Sequence, residues 1–392
     1  MISHDNFNGG AARAASRLFE CLNLKGVKVD FLVAKKTGDL KGIKKISLIQ
    51  SAFIIVTSRL DKFLSNLLES KNPHWKTSAF WGVLRAKNLN KIDYELINLH
   101  WIGHGLISLR QLKKIKKPIL WTLHDEWILN PISHYSDGNE GKFNLIRALL
   151  LENRSQSKKK FLFNRNVNLV TLNTSIAEQL KKMYPEIKEK IFTVPNPVNT
   201  KIFYPMPRKK AEKLIELRNK KPYILYLGGT SDSRKGWDLL EKSLALCTSS
   251  FDVRMIGAVS KNIQGKFDQI RIETYSRVSD LNKMCALYSQ AAAVVIPSRF
   301  EGLPQVATES LCCGTPIIGF DIGGLKDIIL DQRNGIMVPR FDTISFAQAL
   351  DFIIVNKRNK YQKFCREFAL SNFSYNSISA QYKKIMIQIT RK

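Results

Sequence analysis

The sequence predicts an α/β protein made of two doubly wound parallel-sheet domains. Three observations carry that prediction. The chain has 392 residues, too many for one ordinary core and enough for two domains of roughly 150–200 residues each. Short apolar strand patterns alternate with helical patterns in both halves, the order that gives a mostly parallel sheet with helices on both faces. Between the halves, IFTVPNPVNTKIFYP at 191–205 carries three prolines and interrupts the alternation, so it is the expected linker.

The elements follow in order. GGAARAASRLFECLNLKG (9–26) is Ala-rich, apolar at helical spacing and closed by Lys and Gly, which predicts a helix. Only MISH is available before it, so the first strand is expected to be shortened or frayed. VKVDFLVA (27–34), YELINLH (94–100), PILWTLH (118–124) and NLVTLNT (168–174) read as strands, LISLRQLKKIKK (106–117) and SIAEQLKKMY (175–184) as helices. The second half repeats the grammar. YILYLGG (223–229), FDVRMIG (251–257), AAVVIPS (292–298) and PIIGFD (316–321) are strands; GWDLLEKSLALC (236–247), VSDLNKMCALYSQA (278–291) and PQVATESLCCG (304–314) are helices. Ser279 or Asp280 is the expected cap of the second of these helices. In such sheets ligands bind outside the carboxyl ends of the strands.

Composition narrows the class. Hydrophobic residues make up 44% of the chain, which is ordinary for a globular protein and excludes wholesale disorder. No apolar run approaches the roughly 18–20 residues that cross a bilayer, and the N-terminal stretch lacks the pattern of a secretory signal. The six cysteines show no paired or metal-like spacing, so reduced cytosolic thiols are expected. The net charge is +29, a field that attracts polyanions, anionic lipid or phosphorylated substrates. It is spread over both halves: residues 1–200 hold 32 basic and 16 acidic side chains. Two segments concentrate it, 110–117 (RQLKKIKK) and 142–165, where seven basic residues interleave with Leu, Ile and Phe. The second reads as a basic amphipathic helix suited to an anionic membrane surface, or as a surface helix packed on its own domain. Specific nucleic-acid binding would gather basic and stacking aromatic residues on one face, and the even charge distribution argues against it.

The chemistry lies in PSRFEGLPQVATESLCCGTPIIG (297–319), where Glu301 and Glu309 are separated by seven residues at the end of a strand, Glu309 falling inside the next helix. A carboxylate accepts two hydrogen bonds from vicinal hydroxyls. The Gly302-Leu303-Pro304 turn exposes backbone N–H groups at a helix start, a setting that favours phosphate. YLGGTSDSRKGWDLL (226–240) adds the cations Arg234 and Lys235, and NGGAARAA (8–15) places Gly9 and Gly10 at a helix opening.

Together these motifs resemble the retaining glycosyltransferases of family 4, over essentially the whole chain, and HWIGHG…WTLHDEWILNPISHY looks most like the bacterial branch that builds exopolysaccharide, O-antigen or capsule. The resemblance implies the GT-B fold, two Rossmann-like domains facing a central cleft. It places residues 1–196 as an acceptor-side domain and 204–376 as the nucleotide-sugar domain, with a C-terminal helix, 377–392, packing back on the first. It implies a hexosyltransferase that moves a sugar from a nucleotide-diphosphate sugar to a lipid-linked saccharide, without a metal or other cofactor, in a cytoplasmic enzyme held peripherally on the inner membrane. Residue by residue, Glu309 would hold the ribose, Glu301 would lie by the donor sugar, and Lys235 would neutralise the leaving diphosphate. Arg234 would substitute for a family Arg whose position is Thr230. Gly9 and Gly10 would face the diphosphate, and Gly323 and Gly324 of DIGGLKDII would approach the donor. His124 would approach the reacting centre, with Asp125, Glu126, His134 and Tyr135 on the acceptor side. The sequence departs from the family's GGCHY run, having NPISHY. The rival readings are an epimerase or phosphorylase of the same fold, and a nonspecific polyanion-binding protein.

Overall fold

The computed structural model describes residues 1–38, 41–69, 75–135, 145–215, 221–259, 263, 267, 269–356 and 359–391. The chain divides into two units. One comprises Met1–Pro195 with Ser379–Lys392, the other Asn196–Ile378.

In the first unit the elements run β1 (Ile2–Asp5), α1 (Gly10–Leu24), β2 (Phe31–Lys35), β3 (Ile43–Lys45), α2 (Leu48–Leu68), α3 (Ala86–Lys91), β4 (Ile97–Leu99), α4 (Leu109–Leu112), β5 (Ile119–Leu123), α5 (Leu145–Leu162), β6 (Val167–Thr171), α6 (Thr174–Met183) and β7 (Ile191–Thr193). The strands form one sheet in the order β3-β2-β1-β4-β5-β6-β7, and all its pairings are parallel. Buried on both faces, the central strands read as continuous apolar runs: all five residues of β5, ILWTL, are buried, as a two-sided parallel sheet requires. The core joins Leu99, Trp121, Leu169 and Leu180 to Trp127 and Phe161.

The second unit runs α7 (Arg208–Ala211), β8 (Tyr223–Leu227), α8 (Trp237–Leu244), β9 (Asp252–Ile256), β10 (Arg271–Tyr275), α9 (Leu281–Gln290), β11 (Ala293–Ile296), α10 (Gln305–Cys312), β12 (Ile317–Phe320), α11 (Leu325–Ile328), β13 (Gly335–Val338), α12 (Thr343–Asn356) and α13 (Asn359–Phe373). A last helix, α14 (Tyr375–Thr390), begins here and continues into the first unit's share of the chain, where the Tyr382 hydroxyl meets Thr122 Oγ1 of β5 at 3.1 Å. The sheet order is β10-β9-β8-β11-β12-β13, again wholly parallel. In both units the order reverses next to the first strand, between β1 and β4 and between β8 and β11. These are the switch points where doubly wound sheets bind ligands.

Several expectations needed adjustment. β1 has four residues but pairs on both sides, with β2 and β4. The start of the expected linker, Ile191–Thr193, is β7, paired to Leu169–Thr171; the prolines follow it. The helix expected over 106–117 is only α4, because Ser108 caps it and the Lys-rich remainder turns away within one turn. Asp280, not Ser279, caps α9 by accepting from the Asn282 N–H. Pro304 stands one residue before α10, in extended conformation, instead of inside its first turn. β3, β10 and β13 carried no readable strand pattern: IKK and RIETY are short and polar at the sheet edges.

Candidate active site

In the second unit three loops leave the carboxyl ends of neighbouring strands β8, β11 and β12 and converge on Glu301. The β8 loop passes through a tight turn at Ser233–Lys235. Gly236 follows with φ 69°, and a Cβ there would stand 1.9 Å from the Pro297 carbonyl oxygen. Only glycine lets the β8 and β11 loops touch. The Arg299 N–H donates to the Arg234 carbonyl at 2.7 Å, fixing the two loops together. Across this junction Lys235 Nζ meets Glu301 Oε1 at 2.7 Å, with the lysine side chain 32% and the glutamate 10% exposed. Ser298 Oγ donates to the same oxygen at 2.8 Å. The β12 loop closes the group, its Gly324 N–H reaching the Glu301 carbonyl at 3.3 Å. Gly323, at φ 43°, would place a Cβ 2.0 Å from that carbonyl oxygen. Gly323, expected to approach a donor, is therefore required first by contact with Glu301 itself.

Glu309 sits on α10, buried, and accepts from the Tyr288 hydroxyl of α9 at 2.7 Å. Gly302 is half-buried, and Leu303 and Pro304 are buried where the loop enters α10. Arg234 is engaged within its own loop. Its guanidinium forks onto Asp232, Nε to Oδ1 at 3.0 Å and Nη2 to Oδ2 at 2.7 Å, so a phosphate would compete with that carboxylate. Burial raises the Asp232 carboxyl, but Arg234 outweighs it and the net shift is downward. Arg299 pairs with Asp238 through both carboxylate oxygens and with neither glutamate of the motif.

In the first unit the residues gather at the ends of β1, β4 and β5. His100 Nδ1 and His124 Nε2 lie 2.9 Å apart, their rings stacked at 5.2 Å. Asp125 accepts from the Trp127 N–H at 3.0 Å and faces His134 Nδ1 at 2.6 Å. His134 Nε2 in turn meets Thr77 Oγ1 at 3.1 Å. Trp101 contacts His4, His104 and His134, and Trp75 stacks on His104. Between His100, Trp101, His124, Asp125, Trp127 and His134 is a cavity of about 20 Å³, room for roughly one water. The Glu126 N–H donates to the His134 carbonyl at 3.1 Å, so this acid belongs to the same turn, and Tyr135 follows it half-buried. Gly9, at φ 92°, and Gly10 open α1 with nothing within 4 Å of where a Cβ would stand. α1 has no side-chain cap and no acid in its first turn.

His4, His100 and His104 were not singled out by sequence reasoning. A single histidine carries no periodicity, and only the sheet order shows that His4, His100 and His124 close neighbouring strands. Burial depresses all of them: His4 to about 4, His104 to about 3, His124 to about 4, and His100 well below its usual value. Burial alone would raise the Asp125 carboxyl, but His134 and the Trp127 N–H hold it below the ordinary range. The four imidazoles are neutral when folded, while the unfolded chain protonates them near 6.5. Below that pH the unfolded state binds more protons, so stability should fall as pH drops from about 6.5 towards 4. Thermal melts at successive pH values will read this as a falling midpoint; a midpoint unchanged over that window would contradict the buried cluster.

The basic segments also separate. Residues 142–144 lie outside the described residues. Within α5 two cations one turn apart are taken up by the protein: Arg154 stacks over the Phe80 ring at 3.6 Å, and Lys158 is buried, donating to the Trp127 and Asn130 carbonyls. These two cations serve the protein's own packing and not a membrane. In 110–117, Arg110, Lys113, Lys114 and Lys116 are exposed. Among the described residues no group of three His, Cys, Asp or Glu side chains is arranged to hold a metal, and no helix is long and apolar enough to cross a membrane.

Comparison with known proteins completes the picture. A model of the family described as Glycosyltransferase Family 4 matches residues 8–202, and one described as Glycosyl transferases group 1 matches residues 221–356. An uncharacterised 41.2 kDa protein in the cps region of Klebsiella pneumoniae is 22% identical over 79% of this chain and 82% of its own length. A D-inositol 3-phosphate glycosyltransferase of Xylanimonas cellulosilytica is 24% identical over 79% of this chain and 76% of its own. Among solved structures, sucrose-phosphate synthase from Thermosynechococcus elongatus superposes with a TM-score of 0.70 at 20% identity, covering 100% of this chain and 96% of that one. HepE from Anabaena in complex with UDP-glucose gives 0.63 at 14% identity over 99% of both chains. WaaG, a glycosyltransferase involved in lipopolysaccharide biosynthesis, gives 0.64 at 15% over 98% of both.

Proposed function

The chain belongs to the glycosyltransferases of GT-B type, both halves matching models of that class, and from that premise we propose that it is a retaining, metal-independent hexosyltransferase. In this reading the donor is a nucleotide-diphosphate sugar and the acceptor a lipid-linked saccharide of a surface polysaccharide, met at the cytoplasmic face of the inner membrane. The observation that carries the donor side is the Lys235–Glu301 pair at the β8/β11 switch point, beside the start of α10. A cation there, with the N–H groups of a helix start, stabilises the charge that develops as a diphosphate departs. Glu301 would accept from sugar hydroxyls, Glu309 from the ribose diol, and neutral His124 would donate or accept near the reacting carbon. The exposed cations of 110–117 would meet anionic lipid.

The transfer step balances within the substrates. The bond from the anomeric carbon to the phosphate oxygen breaks, and the diphosphate keeps the electron pair. The acceptor oxygen attacks from the same face, and its proton passes to the departing phosphate oxygen. Lys235 supplies the positive charge that step needs. The UDP-glucose complex of a structural neighbour and the lipopolysaccharide role of another support the substrate classes.

Thermal stabilisation by UDP, GDP, ADP and CMP tests the donor site. One nucleotide should raise the midpoint in proportion to its occupancy. Glu309→Ala should abolish the rise, whereas Tyr288→Phe, which keeps the carboxylate, should retain it. No rise with any nucleotide at millimolar concentration would overturn the reading.

A further inference from the structure

Helix α2 buries Ile54 and Leu68 beside Asp61 and Ser65, yet turns most of its apolar residues outward. Its sequence, LIQSAFIIVTSRLDKFLSNLL, has an ordinary apolar periodicity, which on a globular surface faces the core. Here much of it faces outward. Leu48, Ile49, Phe53, Ile55, Val56, Leu60, Phe63 and Leu67 are all exposed, Ile49 at 72%, Phe53 at 61% and Phe63 at 69%. Six of them, 49, 53, 56, 60, 63 and 67, recur at alternating spacings of four and three and so form one stripe.

Three polar residues point the other way, while Arg59, Lys62 and Asn66 stay exposed. Asp61, the helix's one acid, is fully buried and accepts from the Ser78 N–H, the Ser78 hydroxyl and the Ala79 N–H. Ser58 donates to the His104 carbonyl at 2.6 Å and Thr57 to the Gly105 carbonyl at 3.3 Å. The inward polar face is therefore bonded to the loops that carry His104 and lead from Thr77, the partner of His134. Scattered apolar residues on a surface need no explanation, but a contiguous patch of this kind does.

Helix α5, which packs against α2, exposes apolar residues as well. Leu64 packs with Leu151 of α5, and at the start of α5 Leu145, Ile146 and Leu149 are exposed. The exposed charges on α2 itself are cations, Arg59 and Lys62, and Asp61 is turned inward; α5 adds one exposed acid, Glu152, against Lys159 and Lys160. A second copy of the chain would bring another +29 against the same face, which like-charge repulsion disfavours. An anionic bilayer offers both an apolar interior and a negative surface. At 21 residues the helix is about 30 Å long at 1.5 Å per residue, too polar on its inner face to span and suited to lying in the interface.

We propose that α2 lies in the surface of an anionic bilayer with its Ile49–Leu67 stripe among the acyl chains, and so holds the His104 and His134 loops where a lipid-linked headgroup emerges. The first part stands on α2 alone; the second rests on the lipid-linked acceptor reading. The cationic segments 110–117 and 142–165, which sequence alone points to, become accessory to α2.

Flotation of the full chain with vesicles tests it, using phosphatidylcholine alone and phosphatidylcholine mixed with phosphatidylglycerol. Wild type should float with the mixed vesicles, and Phe53→Ser combined with Phe63→Ser should lower its partitioning at least about tenfold. Both side chains are exposed, so the variant should fold, and its nucleotide-induced stabilisation should be unchanged. A Phe53→Cys variant carrying an environment-sensitive fluorophore should shift to the blue on the mixed vesicles. Undiminished flotation of the double variant would overturn the proposal. So would a wild-type dimer in solution that the double variant dissolves, since a second copy would then cover the stripe. Vesicle binding through α2 without transfer to any lipid-linked acceptor would leave the docking intact and sink the acceptor reading instead.

Discussion

Lys235→Ala is expected to lower turnover by about 10²–10³-fold, with nucleotide affinity changed far less. The lysine is one-third exposed and 2.7 Å from Glu301, so it is held in place before any substrate arrives. Ser298 also donates to that carboxylate oxygen and would keep Glu301 oriented when the lysine is gone. The loss should therefore appear in the chemical step, where diphosphate charge develops, more than in donor binding. Lys235→Arg should recover part of the rate, because the charge returns on a differently shaped head. The measurement is steady-state turnover alongside nucleotide titration for each variant. A Lys235→Ala enzyme with full turnover would remove the lysine from the mechanism; one with normal turnover once nucleotide is saturating would assign it to binding alone.

Lys158→Ala is expected to cost the folded state about 3–5 kcal/mol. The side chain is fully buried, lies over the Trp127 ring at 3.5 Å, and donates to the Trp127 and Asn130 carbonyls. Truncation opens a cavity and removes the donor from the Trp127 carbonyl, which is buried, and from the Asn130 carbonyl, which is partly buried. Burial pushes the ammonium well below its ordinary value, and a neutral amine still has two N–H donors for the two carbonyls. The sign of the pH effect follows. The folded group loses its proton at lower pH than the unfolded one, so between those values the unfolded chain binds more protons. The lysine's contribution is then smallest at low pH, grows as pH rises, and is complete above the unfolded value near 10.4. Chemical denaturation of wild type and Lys158→Met at pH 6.5 and 8.5 reads this: the gap between them should widen at the higher pH. A gap that stays the same between the two pH values would mean the amine is charged in the fold.

Both predictions concern residues that pattern reading treats very differently. Lys235 stands in a loop whose glycines and neighbouring E-x7-E motif mark it in the sequence. Lys158 stands in a run, KKK at 158–160, that reads as a solvated basic face. A helix period of 3.6 residues turns adjacent lysines about 100° apart, so only packing decides that the first of the three points inward. Arg234 shows the same limit: its place in the loop was legible, but its fork onto Asp232 depended on a turn the sequence does not specify.

What the sequence determined by itself was the architecture and the chemistry of the loops. Alternating apolar runs and amphipathic stretches recur at spacings that a parallel sheet with covering helices accommodates, and local propensity and periodicity suffice to state that. The spacing of Glu301 and Glu309 likewise places one at a strand end and the other inside the next helix. Only the tertiary structure decided which strands are neighbours, and hence that His4, His100 and His124 meet. It also decided which face of α2 turns inward. The apolar period of that helix is the same whether its stripe faces a core or a lipid, and the choice belongs to the buried Asp61 and the amides of Ser78 and Ala79 that bind it. Those partners lie 17 and 18 residues away in the chain, beyond the reach of any local pattern.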